Sequence, residues 1–485
     1  MKINLRILLL TILISNLSSQ VYFPADPLLR LTYEINEFQN YDVPKIPLLK
    51  PAFNLNDSSQ FRIIINGEIG YNSGVANLEN MSNRWFGKGW SFFRSINISG
   101  KGKFVSFSIE PFLFVNENLD YKEPNRPQRY TRLVDNRYHD QSPLVKLNLR
   151  ETQLYLHYKG LGIGLSNANM WWGSGIQSSL LMTNNTVQFP YIVMGTINEQ
   201  RIRNIGLNSQ FFFSHLDNKN IGKPYFAALN LDITFYSDPI LTVGLSRLFI
   251  TPGRNISWKS ALKQPFQAFY RSSLITEERP TGWSPDDQII VGFLKAVFPE
   301  AKMMLFIEVG RGDHAADWED LRRHPDHSLA TIMGFRKVGL FDNEHLLLGF
   351  EYQNNVLPEK YWHLRNLSKE SKISFQDKPS TDFNSYDGRH WAMHSGPDSD
   401  DLLLYAGYVT DSWSLIPMFN YERRGVIAAP SGIPEVKYEL KLNFQYKFQN
   451  MIISSLLEVE RFDNYSFNER KVSNLVLVMG FKMIL

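Results

Sequence analysis

Apolar and polar residues alternate with a period of two through much of the chain, and the alternation is cleanest near its C-terminus. Val436, Tyr438, Leu440, Leu442, Phe444, Tyr446 and Phe448 are interleaved with Lys437, Glu439, Lys441, Asn443, Gln445 and Lys447. A strand with this pattern has one apolar and one wet face, because successive side chains point to opposite sides. Only Gln449-Asn450 separates it from a second such run, with Met451, Ile453, Leu457 and Val459 against Ser454, Glu458 and Glu460, so the two form a hairpin. The final run places Leu475, Leu477, Met479, Phe481, Met483 and Leu485 on one face. Strands of soluble sandwiches usually run about 5–6 residues. Tilted strands that cross a bilayer need about 9–11.

Applied to the whole chain, the pattern predicts eighteen strands. In the first half they fall at 61–71, 88–97, 103–115, 147–158, 160–166, 191–197, 206–213, 226–236 and 240–249. In the second half they fall at 288–298, 301–309, 328–337, 344–353, 402–409, 412–420, 436–448, 451–461 and 473–484. Connections after even-numbered strands are short, such as 159, 299–300 and 449–450, whereas those after odd-numbered strands include 116–146, 167–190, 250–287 and 354–401. Strict alternation of short and long connections is what an up-and-down outer-membrane barrel requires, with short periplasmic turns and long extracellular loops. The expected fold is therefore all-β: a transmembrane antiparallel β-barrel of about 18 strands with both ends of the barrel segment on the periplasmic side. Hydrocarbon offers no partner to a bare amide, so β structure within it must close on itself.

The N-terminus places this barrel beyond the inner membrane. Lys2 and Arg6 precede an apolar run from Ile7 to Ile14, and Ser15 to Gln20 is small and polar. Residues 1–20 read as a secretory signal, too short in apolar length for a membrane span. Residues 21–60 form a periplasmic lead-in. Asp26-Pro27 followed by Leu28, Leu31 and Ile35 starts a short helix, and Pro44, Pro47 and Pro51 favour extended chain. Residues 61–485 are the barrel.

Composition narrows the chemistry. Lys+Arg 51 against Asp+Glu 48 leaves a net charge of +3, which gives no electrostatic case for nucleic acid as a partner. With no cysteine, the chain has no disulfide, thiolate metal site or cysteine nucleophile. Gly244-Leu245-Ser246-Arg247-Leu248 lacks the second glycine of a nucleophile elbow, and there is no zinc-protease motif or phosphate-binding glycine loop. The loop 310–327 holds Asp313, His314, Asp317, His324, Asp326 and His327, but Arg311, Arg322 and Arg323 are interspersed and the spacing matches no metal-ligand set. It reads as a solvated loop, so neither metal nor cofactor is expected, and no enzymatic step.

Two loops carry the distinctive residues. The first is Asn169-Met170-Trp171-Trp172-Gly173-Ser174-Gly175, with Asn184, Asn185 and Phe189-Pro190 downstream. Flat indole faces beside amides match a sugar, which offers apolar C–H faces and a rim of hydroxyls. The same tryptophans could instead pack on the barrel wall and fold the loop inward. The second loop holds Tyr386, Arg389 and Trp391, then Asp398. Arg389 can grip an acidic sugar through two parallel hydrogen bonds, although Asp and Ser around Gly and Pro are also ordinary turn residues. Tyr361-Trp362-His363 adds further aromatic surface.

At Trp171-Trp172-Gly173-Ser174-Gly175 … Asn184-Asn185 … Phe189-Pro190 the chain resembles the capsule assembly Wzi family of gram-negative outer-membrane barrels. Gly244-Leu245-Ser246-Arg247, Asp287-Gln288, Phe306-Ile307-Glu308, Phe350-Glu351-Tyr352 and Gly388-Arg389 … His394-Ser395-Gly396-Pro397 look similar as well. The resemblance runs from about residue 60 to the end. It implies an eighteen-stranded, lectin-like barrel that binds exported capsular polysaccharide and organises it at the surface, without a cofactor. The lead-in departs from the family pattern in being short for a helical bundle, and Leu485 stands where a terminal aromatic is common. The expected function is binding and attachment of capsular or exopolysaccharide in the outer membrane. The polysaccharide-binding candidates are Trp171, Trp172, Asn184, Asn185, Tyr386, Arg389, Trp391 and Asp398, and outer-membrane lipid surrounds the barrel. The rival readings are a diffusion or uptake porin, and a structural component of a secretion or surface-motility assembly.

Overall fold

The structure is a computed structural model that describes residues 60–121, 133–136, 142–217, 223–252, 257–269, 287–312, 328–356 and 384–485, together with 22–23, 31, 49–50, 52–53 and 322. Its strands are β1 (Gln60–Asn72), β2 (Gly89–Lys101), β3 (Val105–Asn116), β4 (Leu144–Tyr158), β5 (Leu161–Ser166) and β6 (Tyr191–Thr196, continued by Gln200–Ile202). There follow β7 (Ile205–His215), β8 (Tyr225–Phe235), β9 (Ile240–Thr251), β10 (Asp287–Phe298), β11 (Met303–Gly312) and β12 (Leu329–Leu340). The circuit ends with β13 (Asn343–Asn354), β14 (Ser399–Val409), β15 (Trp413–Arg424), β16 (Glu435–Phe448), β17 (Met451–Asp463) and β18 (Val472–Ile484).

Each strand pairs antiparallel with its chain neighbours, and β18 returns to β1 with Val476 opposite Asn72 and Ile484 opposite Ile64. Leu485 N–H donates to Ile63 O at 2.8 Å and Ile63 N–H to Leu485 O at 3.3 Å, completing the seam. The result is a closed antiparallel barrel of eighteen strands with no free edge. All eighteen alternating runs of the sequence become its staves. Two strands outrun expectation through charged residues: β14 starts at Ser399 rather than 402, and β15 reaches Arg424 rather than 420. Asp400 is paired across the ladder with Arg423. Each of these charges has a partner across the ladder or in the bore, so charge does not end a strand here.

The outside is the apolar side. On β16, Tyr438, Leu440, Leu442 and Tyr446 face out, while Glu435, Lys437, Glu439 and Asn443 are buried. At the end carrying the short turns, Phe61, Phe104, Tyr158, Phe235, Phe341 and Phe448 are exposed, forming the aromatic rim of a membrane interface. Trp90, 5.2 Å from Tyr71, stands at the opposite rim. No helix among the described residues is long and apolar enough to cross a membrane; the strands make the crossing.

The bore is filled rather than open. Lumen-facing Tyr191, Val193, Phe212, Phe226, Val291 and Ile332 form one buried cluster with loop residues Met170, Trp172, Ile176, Leu180, Phe189 and Trp391. The wall from β14 round to β4 carries a dense set of buried charged side chains, among them Glu422, Lys437, Glu460 and Glu110, beside the aromatic cluster Phe93, Phe112 and Phe114. Of the lead-in, Leu31 is helical and Leu49-Lys50 pairs with Trp172 and Trp171. Leu31 and Leu49 both join the same buried cluster, so these described lead-in residues lie within the bore. Residues 1–20, the polar loop residues Asp313, His314, Asp317, His324, Asp326 and His327, and Tyr361-Trp362-His363 lie outside the described residues.

Candidate functional site

Two loops meet in the bore. Residues 167–190, between β5 and β6, are clamped by three charged side chains from adjacent staves. Glu308 of β11 accepts from Ser174 N at 3.0 Å and Leu180 N at 3.1 Å. Glu351 of β13 accepts from Ile176 N and, at 3.0 Å, from Gln177 N. Arg336 of β12 donates to Glu351 Oε1 at 3.1 Å, Ser174 O at 2.7 Å and Tyr405 Oη at 2.8 Å. Carboxylates reach the main chain this closely because the motif is Gly-Ser-Gly. A Cβ on Gly173 would stand 2.0 Å from Glu308 Oε1, and one on Gly175 would stand 2.0 Å from Ser178 O. Gly173 also has a φ of +145°, which a side chain would oppose.

This clamp turns both tryptophans inward. Trp171 and Trp172 are 1% and 0% exposed, and the Trp172 ring lies 4.8 Å from Phe212 and 6.3 Å from Phe226. Trp391, from the second loop, is 5.2 Å from Phe226 and 5.7 Å from Phe189, whose ring also meets Tyr386 at 5.6 Å. The main chains are joined too, with Thr183 N–H donating to Trp391 O at 2.8 Å. The two loops named by the sequence thus form a single plug.

Above the aromatic cluster, Asp135 gathers four donors. They are Arg389 Nε at 3.1 Å, Asn185 Nδ2 at 2.8 Å, and His390 through its N–H and Nδ1, each at 2.8 Å. Arg389 Nη2 also donates to Asn185 Oδ1 at 3.0 Å and to Leu78 O. Burial alone would raise the Asp135 carboxyl, but Arg389 and His390 outweigh it and hold the group at about 2. Burial lowers the Arg389 guanidinium, and Asp135 partly offsets that. Arg389 is therefore an internal strut whose guanidinium is turned away from the outside. Asn184 accepts from Asn169 Nδ2 at 3.3 Å and through its carbonyl from Ser82 N at 2.8 Å, and it stays half-buried. Tyr386 is also half-buried, with burial raising its hydroxyl. Asp398 is apart from this group: its Oδ2 receives Ile427 N at 2.9 Å and Ala428 N at 2.6 Å, fastening the β15–β16 loop.

A second polar centre lines β14–β17. Its buried carboxylates are Asp401, Glu422, Glu435, Glu439, Glu458 and Glu460, joined by Glu79 from the β1–β2 loop. Arg424, Lys437 and Lys441 are the permanent cations paired with them. Burial favours the neutral form of Glu79, but Lys437, His394 and Lys441 hold its carboxyl well below the ordinary range. Burial lowers His394, yet Glu79, Glu422 and Asp401 around it lift the imidazole to about 9.

Sequence reasoning singled out neither Asp135 nor Glu79. It also gave no role to Glu308, Arg336, Glu351 or His394. Four of these six are acidic, and each is paired with a partner far away in sequence, so no local spacing marks them.

Fold and site together define an outer-membrane β-barrel whose bore is occupied by its own aromatic and polar loops. Residues 99–281 match the family of the capsule assembly protein Wzi, and the family resemblance carried by the double-tryptophan stretch stands. The fold is similar to the solved structure of Wzi from Escherichia coli, described as a carbohydrate-binding β-barrel of the outer membrane involved in group 1 capsule assembly. That match has a TM-score of 0.57 and 11% identity and covers 87% of this chain and 84% of the other. The barrels OccK5 (OpdH) of Pseudomonas aeruginosa and OccAB4 of Acinetobacter baumannii match with TM-scores of 0.45 at 10% identity, covering 88% and 89% of this chain and 98% and 100% of theirs. No curated protein matches the chain.

Proposed function

We propose that this protein binds an exported capsular or exopolysaccharide at the outer face of the plug and helps attach it to the cell surface. One observation carries the reading: the bore is packed with buried aromatic rings and tied to the wall by ion pairs, which leaves a closed polar and aromatic surface in place of a water channel. Asn184 and Tyr386, half-buried, are the contacts proposed for the polymer. Trp171, Trp172, Asn185, Arg389 and Trp391 support them from beneath, and Asp398 fixes the neighbouring loop. A few weak contacts suffice because one polymer offers many repeats to many barrels. The role is binding rather than catalysis, and an N-terminal secretory signal would deliver the chain to the outer membrane.

The test is to delete the gene and measure how surface polysaccharide divides between cells and medium. Complementation then uses wild type, Asn184→Ala/Tyr386→Ala and Trp171→Ala/Trp172→Ala. Release into the medium that wild type reverses and neither double variant reverses supports binding on this surface. Reversal by Asn184→Ala/Tyr386→Ala would remove these two residues from the contact. Unchanged partition after deletion would overturn the attachment role. Large steady bilayer currents from the pure protein would favour a porin instead.

A further inference from the structure

The acidic centre on β14–β17 has two nodes, and they differ in one respect. In the first, Lys437 Nζ occupies the space between carboxylates, 3.1 Å from Glu439 and 2.8 Å from Glu460. The node is centred on a permanent ammonium, whereas the second is centred on a histidine. In the second, Asp401 Oδ2, Glu422 Oε2 and Glu79 Oε2 converge on His394 Nε2 at 3.3, 3.5 and 3.8 Å. A single imidazole N–H can serve one of three oxygens, and none of the three has a hydrogen-bond donor in the structure. Asp401 and Glu422 are 3% and 0% exposed, so bulk water does not satisfy them. Lys441 stands 3.7 Å from Glu79 Oε2, and Arg424 and Lys437 engage the other oxygen of that carboxylate. Buried carboxylate oxygens left in this state cost free energy unless a cation or a proton fills the gap.

The distances fit a cation. A metal bound at about 2.0–2.2 Å to each of several ligands holds neighbouring donor atoms about 3–4 Å apart. One imidazole nitrogen with three carboxylate oxygens suits a divalent ion of borderline hardness. Calcium prefers a larger, all-oxygen shell. We propose that Glu79, His394 and Glu422, whose ligand atoms all lie within 4.8 Å of one another, bind one divalent cation of the Mn²⁺ or Zn²⁺ type within the bore, with Asp401 beside them. The ion would tie the β1–β2 and β13–β14 loops to β14 and β15, locking the plug from the polar wall as Glu308, Arg336 and Glu351 lock it from the apolar one. This site is independent of polysaccharide binding.

The test uses the full-length barrel in detergent, stripped with EDTA at neutral pH, and Mn²⁺ alone as the probe. Loss of the free Mn²⁺ resonance in electron paramagnetic spectra counts bound ions. One Mn²⁺ per chain, displaced by Zn²⁺, is expected. Asp401→Asn and Glu422→Gln are expected to weaken binding by at least about tenfold. Glu79→Gln, on a loop, should weaken it in the same sense if a strand variant fails to fold. Glu458→Gln, in the node that holds Lys437, should bind as wild type does. Heat-modifiable gel mobility certifies each sample as a closed barrel. A folded wild-type barrel that leaves millimolar Mn²⁺ free would overturn the proposal and assign the node to protons. Binding that is equally strong in the Asp401, Glu422 and Glu79 variants would overturn it too.

Discussion

Replacing Glu351 with Gln should unlock the plug without opening the barrel. Glu351 and Arg336 are 4% and 0% exposed, and the carboxylate holds two loop N–H groups as well as the guanidinium 3.1 Å away. The amide keeps the volume but removes the charge, so the buried Arg336 loses the carboxylate that faces it at 3.1 Å. Breaking one side of a buried pair costs about 3–5 kcal/mol. The wall remains hydrogen-bonded to its neighbours, so the strain falls on the docked loop. At about 1.4 kcal/mol per decade, the ratio of docked to undocked loop should fall by between a hundred- and a few-thousand-fold. Single-barrel recordings in planar bilayers read this directly: wild type should be closed, and Glu351→Gln should flicker into conducting states. Arg336→Met/Glu351→Gln, which removes both charges of the pair, should recover much of the closed time. The reasoning fails if Glu351→Gln is as silent as wild type, or if the double variant conducts more than the single one.

Two further outcomes follow from the same structure. The Asp135 carboxyl ordinarily titrates near 3.8 and is held at about 2, so its stabilisation of the second loop is complete above about pH 4 and fades as pH falls toward 2. The difference is worth roughly 2 kcal/mol. Hydrogen exchange at the Thr183 and Trp391 amides should accelerate across that window in wild type, and identical profiles for wild type and Asp135→Asn would sink the assignment. Leu442 faces outward in mid-strand on β16, and Leu442→Arg should cost about 2–4 kcal/mol if it lies near the bilayer midplane. Urea titration of refolding into lipid vesicles measures this, and an unchanged midpoint would place the position away from lipid.

The staves were legible because their cause is local. A strand with lipid outside and polar groups inside must alternate, and each of the eighteen runs carries that alternation in its own residues. Even the short strand at 191–196 declares itself through position, since the parity of long and short connections demands a crossing there. Strand ends were less legible. Asp400, Asp401, Glu422 and Arg424 look like loop residues in isolation, and only the partner across the ladder or the bore makes them strand residues.

The interior of the plug was legible only as a choice of residue types. Spacing alone left Trp171 and Trp172 open to a sugar or to the wall, because exposure is decided by groups remote in sequence: Glu308, Arg336 and Glu351 pull the Gly-Ser-Gly backbone inward. Those same glutamates sit in Phe306-Ile307-Glu308 and Phe350-Glu351-Tyr352, segments that resemble the Wzi family, while His394 belongs to His394-Ser395-Gly396-Pro397. The segments of resemblance therefore include residues that hold the loops shut. A specific sugar surface needs no such fixity in its own residues, but it does need a rigid floor, since each contact to a polymer repeat is weak and cannot also bear the entropy of ordering a loop. Under the proposed function, the deep placement of the tryptophans and of Arg389 gives them the part of holding Asn184 and Tyr386 in one arrangement rather than of touching the polymer.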